Sequence, residues 1–145
     1  MVSRPRSRPR TELVAEIVLR FGSARFRVQG SSMLPSIRPG DEIEIRAARF
    51  DNIDPGGVIA YLRTDRLFVH RVMKRDTQQL LVTHGDTLPQ ADAPISESEF
   101  LGSVAAVFRN GKTIELRQSL AQRTGAALFR RSQICAALFV KFASL

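Results

Sequence analysis

A single cysteine, Cys135, is present in the 145-residue chain, so no internal disulfide can staple the fold. Two histidines accompany it, which is too sparse a set for a structural zinc site, and neither a metal nor a cofactor is expected. Cys135 sits in Ile134-Cys135-Ala136-Ala137-Leu138, the setting of a buried structural thiol. An unpaired cysteine fits a reducing compartment, and the expected location is cytoplasmic, with peripheral contact to a membrane left open. Long apolar runs are also missing. None reaches the ~18 residues that a membrane-spanning helix requires, and Glu16 and Arg20 interrupt the stretch from Leu13 to Phe21.

Acidic residues are in deficit, 14 against 22 Lys and Arg, for a formal net charge of +8. Arg4, Arg6, Arg8 and Arg10 crowd into a Ser- and Pro-rich stretch, read as a disordered basic arm over 1–10. A solvated tail accounts for such an arm, so no specific nucleic-acid partner is assigned to it. The remaining length suits one compact domain able to bury a core without cross-links.

What is present is mostly β. Thr11 is placed to cap a short helix through Arg20, with Leu13, Val14, Ile17 and Val18 on one face and Gly22 ending it. Strand signals follow at Phe26 and Val28, Ile43 and Ile45, Val58 to Leu62, Leu67 to Met73, Leu80 to Thr83, Leu101 to Phe108, and Thr113 to Leu116. Turn chemistry separates them at Arg38-Pro39-Gly40-Asp41, Asp54-Pro55-Gly56-Gly57, Arg63-Thr64-Asp65-Arg66 and Asn110-Gly111, the last a strong hairpin signal. The fold expected is therefore mainly β: a compact antiparallel domain over 11–117 led by a short helix. Residues 118–145 read as a C-terminal helical segment. There Ile134, Leu138, Phe142 and Leu145 share a face opposite Arg130, Gln133 and Lys141, suited to pack on the domain, on a homodimer partner, or on a membrane surface.

Three clusters carry candidate chemistry. Gly30-Ser31-Ser32-Met33-Leu34-Pro35 presents serines ahead of a tight turn, with Met33 and Leu34 able to anchor the loop in the core. A serine hydroxyl needs a base and an oxyanion site before it can attack a carbonyl, and Ser32 is the candidate nucleophile. Leu67-Phe68-Val69-His70-Arg71-Val72-Met73 places one imidazole in an apolar strand, on the face of Phe68 and Val72, and imidazole is the commonest base for a serine. Thr83-His84-Gly85-Asp86 and Asp92 then offer two carboxylates that can orient that ring. Turn formation by Gly-Asp and Ala-Asp-Ala-Pro is the plainer account of those aspartates taken alone.

The order and content of these clusters resemble the signal peptidase I-type serine endopeptidases, in the wider group that includes LexA-type self-cleaving repressors. The matching pieces are Gly30-x-Ser32-Met33-x-Pro35 with Pro39-Gly40-Asp41, Gly57-Val58-Ile59-Ala60-Tyr61, Val69-His70-Arg71-Val72, Thr83-His84-Gly85-Asp86 with Asp92, and Leu101-Gly102-Ser103-Val104. The resemblance implies that Ser32 attacks the scissile carbonyl while its backbone N–H helps hold the oxyanion. Ser31, Met33 and Pro35 fall in the same oxyanion and substrate-binding box. His70 stands where bacterial members carry a lysine base and where the archaeal and endoplasmic-reticulum members carry histidine, so Asp86 and Asp92 inherit supporting roles of equal rank. Lys74, four residues on, is expected at the surface. Gly30 replaces a serine that aids the oxyanion in many bacterial members, which leaves that task mainly to the backbone. Gly57 replaces an acidic residue, with an effect expected on a turn.

The function this implies is a serine endopeptidase cleaving a peptide, or a leader- or signal-like segment of a protein partner, bound as an extended strand. The sequence shows no membrane anchor of the kind signal peptidases carry, which argues against secretory signal-peptide removal. Two other readings are a catalytically silent peptide-binding module on the same scaffold and a LexA-type self-processing regulator. Against the latter, only ~20 residues precede the β region, short for a helix-turn-helix, and no Ala-Gly or Cys-Gly bond occurs.

Overall fold

In a computed structural model, residues 10–116 are described. Residues 1–9 of the basic arm and the C-terminal helical segment expected over 118–145 lie outside the described residues. Helix α1 (Arg10–Phe21) opens ahead of Thr11, the expected cap, and ends one residue past the expected Arg20. Val18 is fully buried, with Val14 and Ile17 packed around it, whereas Leu13 sits at the edge of that stripe and stays half exposed. Gly22 ends the helix at φ 81°, its N–H returning to the Val18 carbonyl at 2.9 Å.

Seven strands follow among the described residues: β1 (Ser23–Arg27), β2 (Glu42–Arg46), β3 (Val58–Arg63), β4 (Arg66–Arg75), β5 (Leu81–His84), β6 (Phe100–Arg109) and β7 (Lys112–Ile114). The fold is mainly β, and every pairing is antiparallel, in the order β1-β2-β6-β3-β4-β5 with β7 added to β6. Strand β7 stops at Ile114, two residues short of the expected end, and a 3-10 turn at Phe50–Asn52 adds an element the sequence pattern does not announce.

The turns follow their chemistry. Gly40 and Gly56 take φ 91° and 92° at the third positions of their turns. The Asn110-Gly111 hairpin has φ 51° and 73°, the left-handed pair that a two-residue loop requires. Glu42, Glu44 and Arg46 alternate with fully buried Ile43 and Ile45, so β2 has one core face and one wetter face. Strand β3 is buried on both faces. Val58 and Ala60 join the core under α1, β1 and β2, while Ile59 and Tyr61 join a second cluster with Phe50, Val72, Leu81 and Ile95. Met33 and Ile37 of the β1–β2 connection enter the first cluster, and Leu34 is fully buried beside a cis Leu34–Pro35 bond. That connection is thereby fixed against the sheet next to β4.

Candidate active site

Ser32 lies in a turn between β1 and β2, His70 at the middle of β4, and Asp92 in the irregular stretch between β5 and β6. They meet in space. Ser32 Oγ is 3.1 Å from His70 Nε2, and His70 Nδ1 is 2.6 Å from Asp92 Oδ2. Burial works to raise the Asp92 carboxyl, but the hydrogen bonds from His70 and Thr83 more than offset it and hold it below its ordinary value. An ionised carboxylate only accepts, so His70 Nδ1 is the donor, and Nε2 is the nitrogen that faces the Ser32 hydroxyl to take its proton. That is the tautomer a general base needs.

His70 is buried among aromatic rings, edge-on to both Tyr61 and Phe68, which stack on each other with centroids 5.2 Å apart. Tyr61 Oη stands 3.5 Å from Nδ1, too long to compete with Asp92 for that nitrogen. Burial and the neighbouring Asp92 charge push the Tyr61 hydroxyl up, so it stays protonated.

The structure separates the two aspartates that the sequence leaves equal. Asp86 does not reach His70. Its carboxylate takes Arg71 Nε at 2.9 Å on Oδ1 and Arg71 Nη2 at 2.9 Å on Oδ2, and Ser36 Oγ donates to Oδ2 at 3.0 Å. Both partners are buried. Neighbouring residues of a strand point to opposite faces, so His70 and Arg71 reach different carboxylates. Arg71 also bonds Ser36 Oγ and the Gly56 carbonyl, which ties the nucleophile turn, the β2–β3 turn and the Gly85-Asp86 loop to β4. An arginine in an otherwise apolar strand, with an aspartate in the next motif, is the signal for this pair; the sequence pattern contains both motifs but assigns neither Arg71 nor Ser36 a role.

The Gly85-Asp86-Thr87 loop also packs directly beneath the serine. Thr87 N–H donates to the Ser32 carbonyl at 3.0 Å, and Thr87 Oγ1 to the Ser31 carbonyl at 3.3 Å. A Cβ on Gly85 would lie 2.7 Å from Leu88 Cδ1 and 3.1 Å from Ser32 Cβ. Of the remaining box residues, Ser31 and Pro35 are half-buried beside Ser32, and the Met33 side chain is in the core, so it can offer only its backbone to a ligand. Lys74 is exposed. Among the described residues no three His, Cys, Asp or Glu side chains converge as they would around a metal ion, and no helix is long and apolar enough to cross a membrane.

A serine hydrogen-bonded to a carboxylate-supported histidine, on a rigid antiparallel sheet, is the arrangement used by serine hydrolases. Residues 15–105, well over half of the chain, match the family described as Peptidase S24-like, and the chain belongs to that family. Membership carries a serine peptidase or LexA-type self-cleaving function at the level of the family. No curated protein matches the chain.

Proposed function

We propose that the protein is a serine endopeptidase of the signal-peptidase type that acts on a peptide, or a leader-like segment of a protein partner, through Ser32, His70 and Asp92. The observation that carries this reading is the continuous hydrogen-bonded line from Ser32 Oγ through His70 to Asp92. Ser32 Oγ attacks the carbonyl carbon of an extended segment, and its proton passes to His70 Nε2. Asp92 offsets the charge of the imidazolium, and the backbone N–H of Ser32 receives the oxyanion. His70 then returns the proton to the leaving amine, which frees the new N-terminus and leaves an acyl group on Ser32. Water, deprotonated by His70, completes the hydrolysis. Asp86 serves the same site indirectly, by holding Arg71 and Ser36.

A fluorophosphonate probe tests the reading. It should label the wild-type protein and not Ser32→Ala, and His70→Ala should slow labelling by roughly 10²- to 10⁴-fold. A folded wild-type protein that never reacts would overturn the assignment.

A further inference from the structure

Asp92 belongs to no strand or helix, yet one of its carboxylate oxygens accepts two short hydrogen bonds. One residue does most of the holding. Thr83 accepts the Asp92 N–H on its carbonyl at 2.9 Å and donates its own hydroxyl to Asp92 Oδ2 at 2.6 Å. Oδ2 is also the oxygen that accepts His70 Nδ1. Thr83 is itself fully buried on β5, opposite Val72 of β4. Both ends of the His70–Asp92 bond are therefore fastened to the β4–β5 hairpin, one directly and one through Thr83. From β3, the Tyr61 hydroxyl stands beside the same bond, 3.5 Å from His70 Nδ1.

Packing alone does not explain a hydroxyl at position 83. Valine has nearly the same shape, and burying a hydroxyl is unfavourable unless it finds a partner. Here the partner is the carboxylate that orients the histidine. A carboxylate with one donor can turn about its own axis, whereas converging donors fix both its direction and its charged state.

We propose that Thr83, assisted by Tyr61, is a positioning residue that locks Asp92 against His70 Nδ1 and so fixes the ring tautomer that can accept the Ser32 proton. This rests on the reading of Ser32, His70 and Asp92 as the reacting set. It is tested on the full chain by two readouts: the far-downfield NMR resonance of the His70 Nδ1 proton and the rate of Ser32 labelling by a fluorophosphonate. In Thr83→Val the resonance should broaden away or move upfield and labelling should slow at least ~10-fold. Thr83→Ser, which restores the hydroxyl, should recover most of both. Tyr61→Phe keeps the ring stacked on Phe68 and should shift both readouts in the same direction by less. Should Thr83→Val fail to fold, Thr83→Cys, with its weak donor, takes its place. A valine variant that keeps the resonance and labels within about twofold of wild type would sink the proposal. The resonance does not depend on turnover, so a protein that never labels would overturn the peptidase reading while the Thr83 comparison still decided this one.

Discussion

Two neighbouring residues on β4 divide the work of the site. His70 faces Asp92 and Arg71 faces Asp86, so two aspartates six positions apart in the sequence should respond differently to the same change. Asp92→Asn should lower the labelling rate ~10³- to 10⁴-fold, because the amide no longer holds the imidazole in its basic tautomer. Asp86→Asn should instead destabilise the fold by about 3–5 kcal/mol, since it leaves the buried Arg71 guanidinium without its counter-charge. Urea unfolding of the two variants, beside their labelling rates, checks the division; the opposite pattern would exchange the roles of the two aspartates. Acid stability is also set at single residues. The Arg63 hydrogen bond pulls the Glu99 carboxyl from an ordinary 4.5 down to about 2, against a smaller opposing effect of burial. For Asp41, burial acts upward, but the bonds from Arg109 and the Arg38 N–H outweigh it and the carboxyl is lowered. A depressed carboxyl stabilises the fold fully above its unfolded value and loses that contribution as pH falls through the folded one. Unfolding free energy should therefore drop between pH 4.5 and about 2, and Glu99→Gln should be less stable at neutral pH and show a shallower drop across that interval.

At the scale of elements, the loops hold the chemistry and the strands hold the loops. Gly85 has no room for a side chain because its loop presses on Ser32 and Leu88. A methyl group there must displace the serine turn or the Leu88 side chain, and displacements of ~1 Å at a nucleophile can cost 10²-fold in rate. Gly85→Ala should accordingly reduce labelling by at least ~10-fold while the sheet stays intact by circular dichroism. The two-residue turns of the β3–β4 and β6–β7 hairpins give a contrasting case. Asn110-Gly111 suits its left-handed conformation, whereas Thr64 and Asp65 adopt φ 48° and 59°, which the β-branched Thr64 disfavours and Asp65 accepts less readily than glycine. Thr64→Asn with Asp65→Gly should raise stability by about 1 kcal/mol, read as a higher urea midpoint with an unchanged slope.

Over the whole molecule, charge is distributed unevenly. Residues 1–9 and 117–145 contain eight Lys and Arg (Arg4, Arg6, Arg8, Arg117, Arg123, Arg130, Arg131 and Lys141) and no Asp or Glu, so the described domain carries no net charge. The chain ends should therefore drive any electrostatic adsorption to an anionic surface, at about 1 kcal/mol per basic residue near the lipid. Co-sedimentation with vesicles rich in anionic lipid should exceed that with neutral vesicles and fall as salt shortens the Debye length. Replacing those eight residues with glutamine should abolish it. Binding that ignores salt and lipid charge would place the contact elsewhere.

Alternation and turn residues sufficed to locate the strands, because period-2 burial and left-handed turn positions are local properties of the chain. The same locality made Ser32 and His70 readable as a pair, since one sits in a loop with turn chemistry and the other stands out in an apolar strand. Helix α1 was readable too, apart from Leu13 at the edge of its stripe. The choice between Asp86 and Asp92 was not local. Both lie in irregular backbone, where no period dictates which way a side chain points, and their partners are 15 and 22 residues away on opposite faces of one strand. Thr83 and Tyr61 were hidden for a related reason: each fits a buried strand by propensity alone. Only the pairing of β3, β4 and β5 brings the Thr83 hydroxyl to the Asp92 carboxylate and the Tyr61 hydroxyl beside the His70 ring, because sheet register decides which side chains become neighbours across strands.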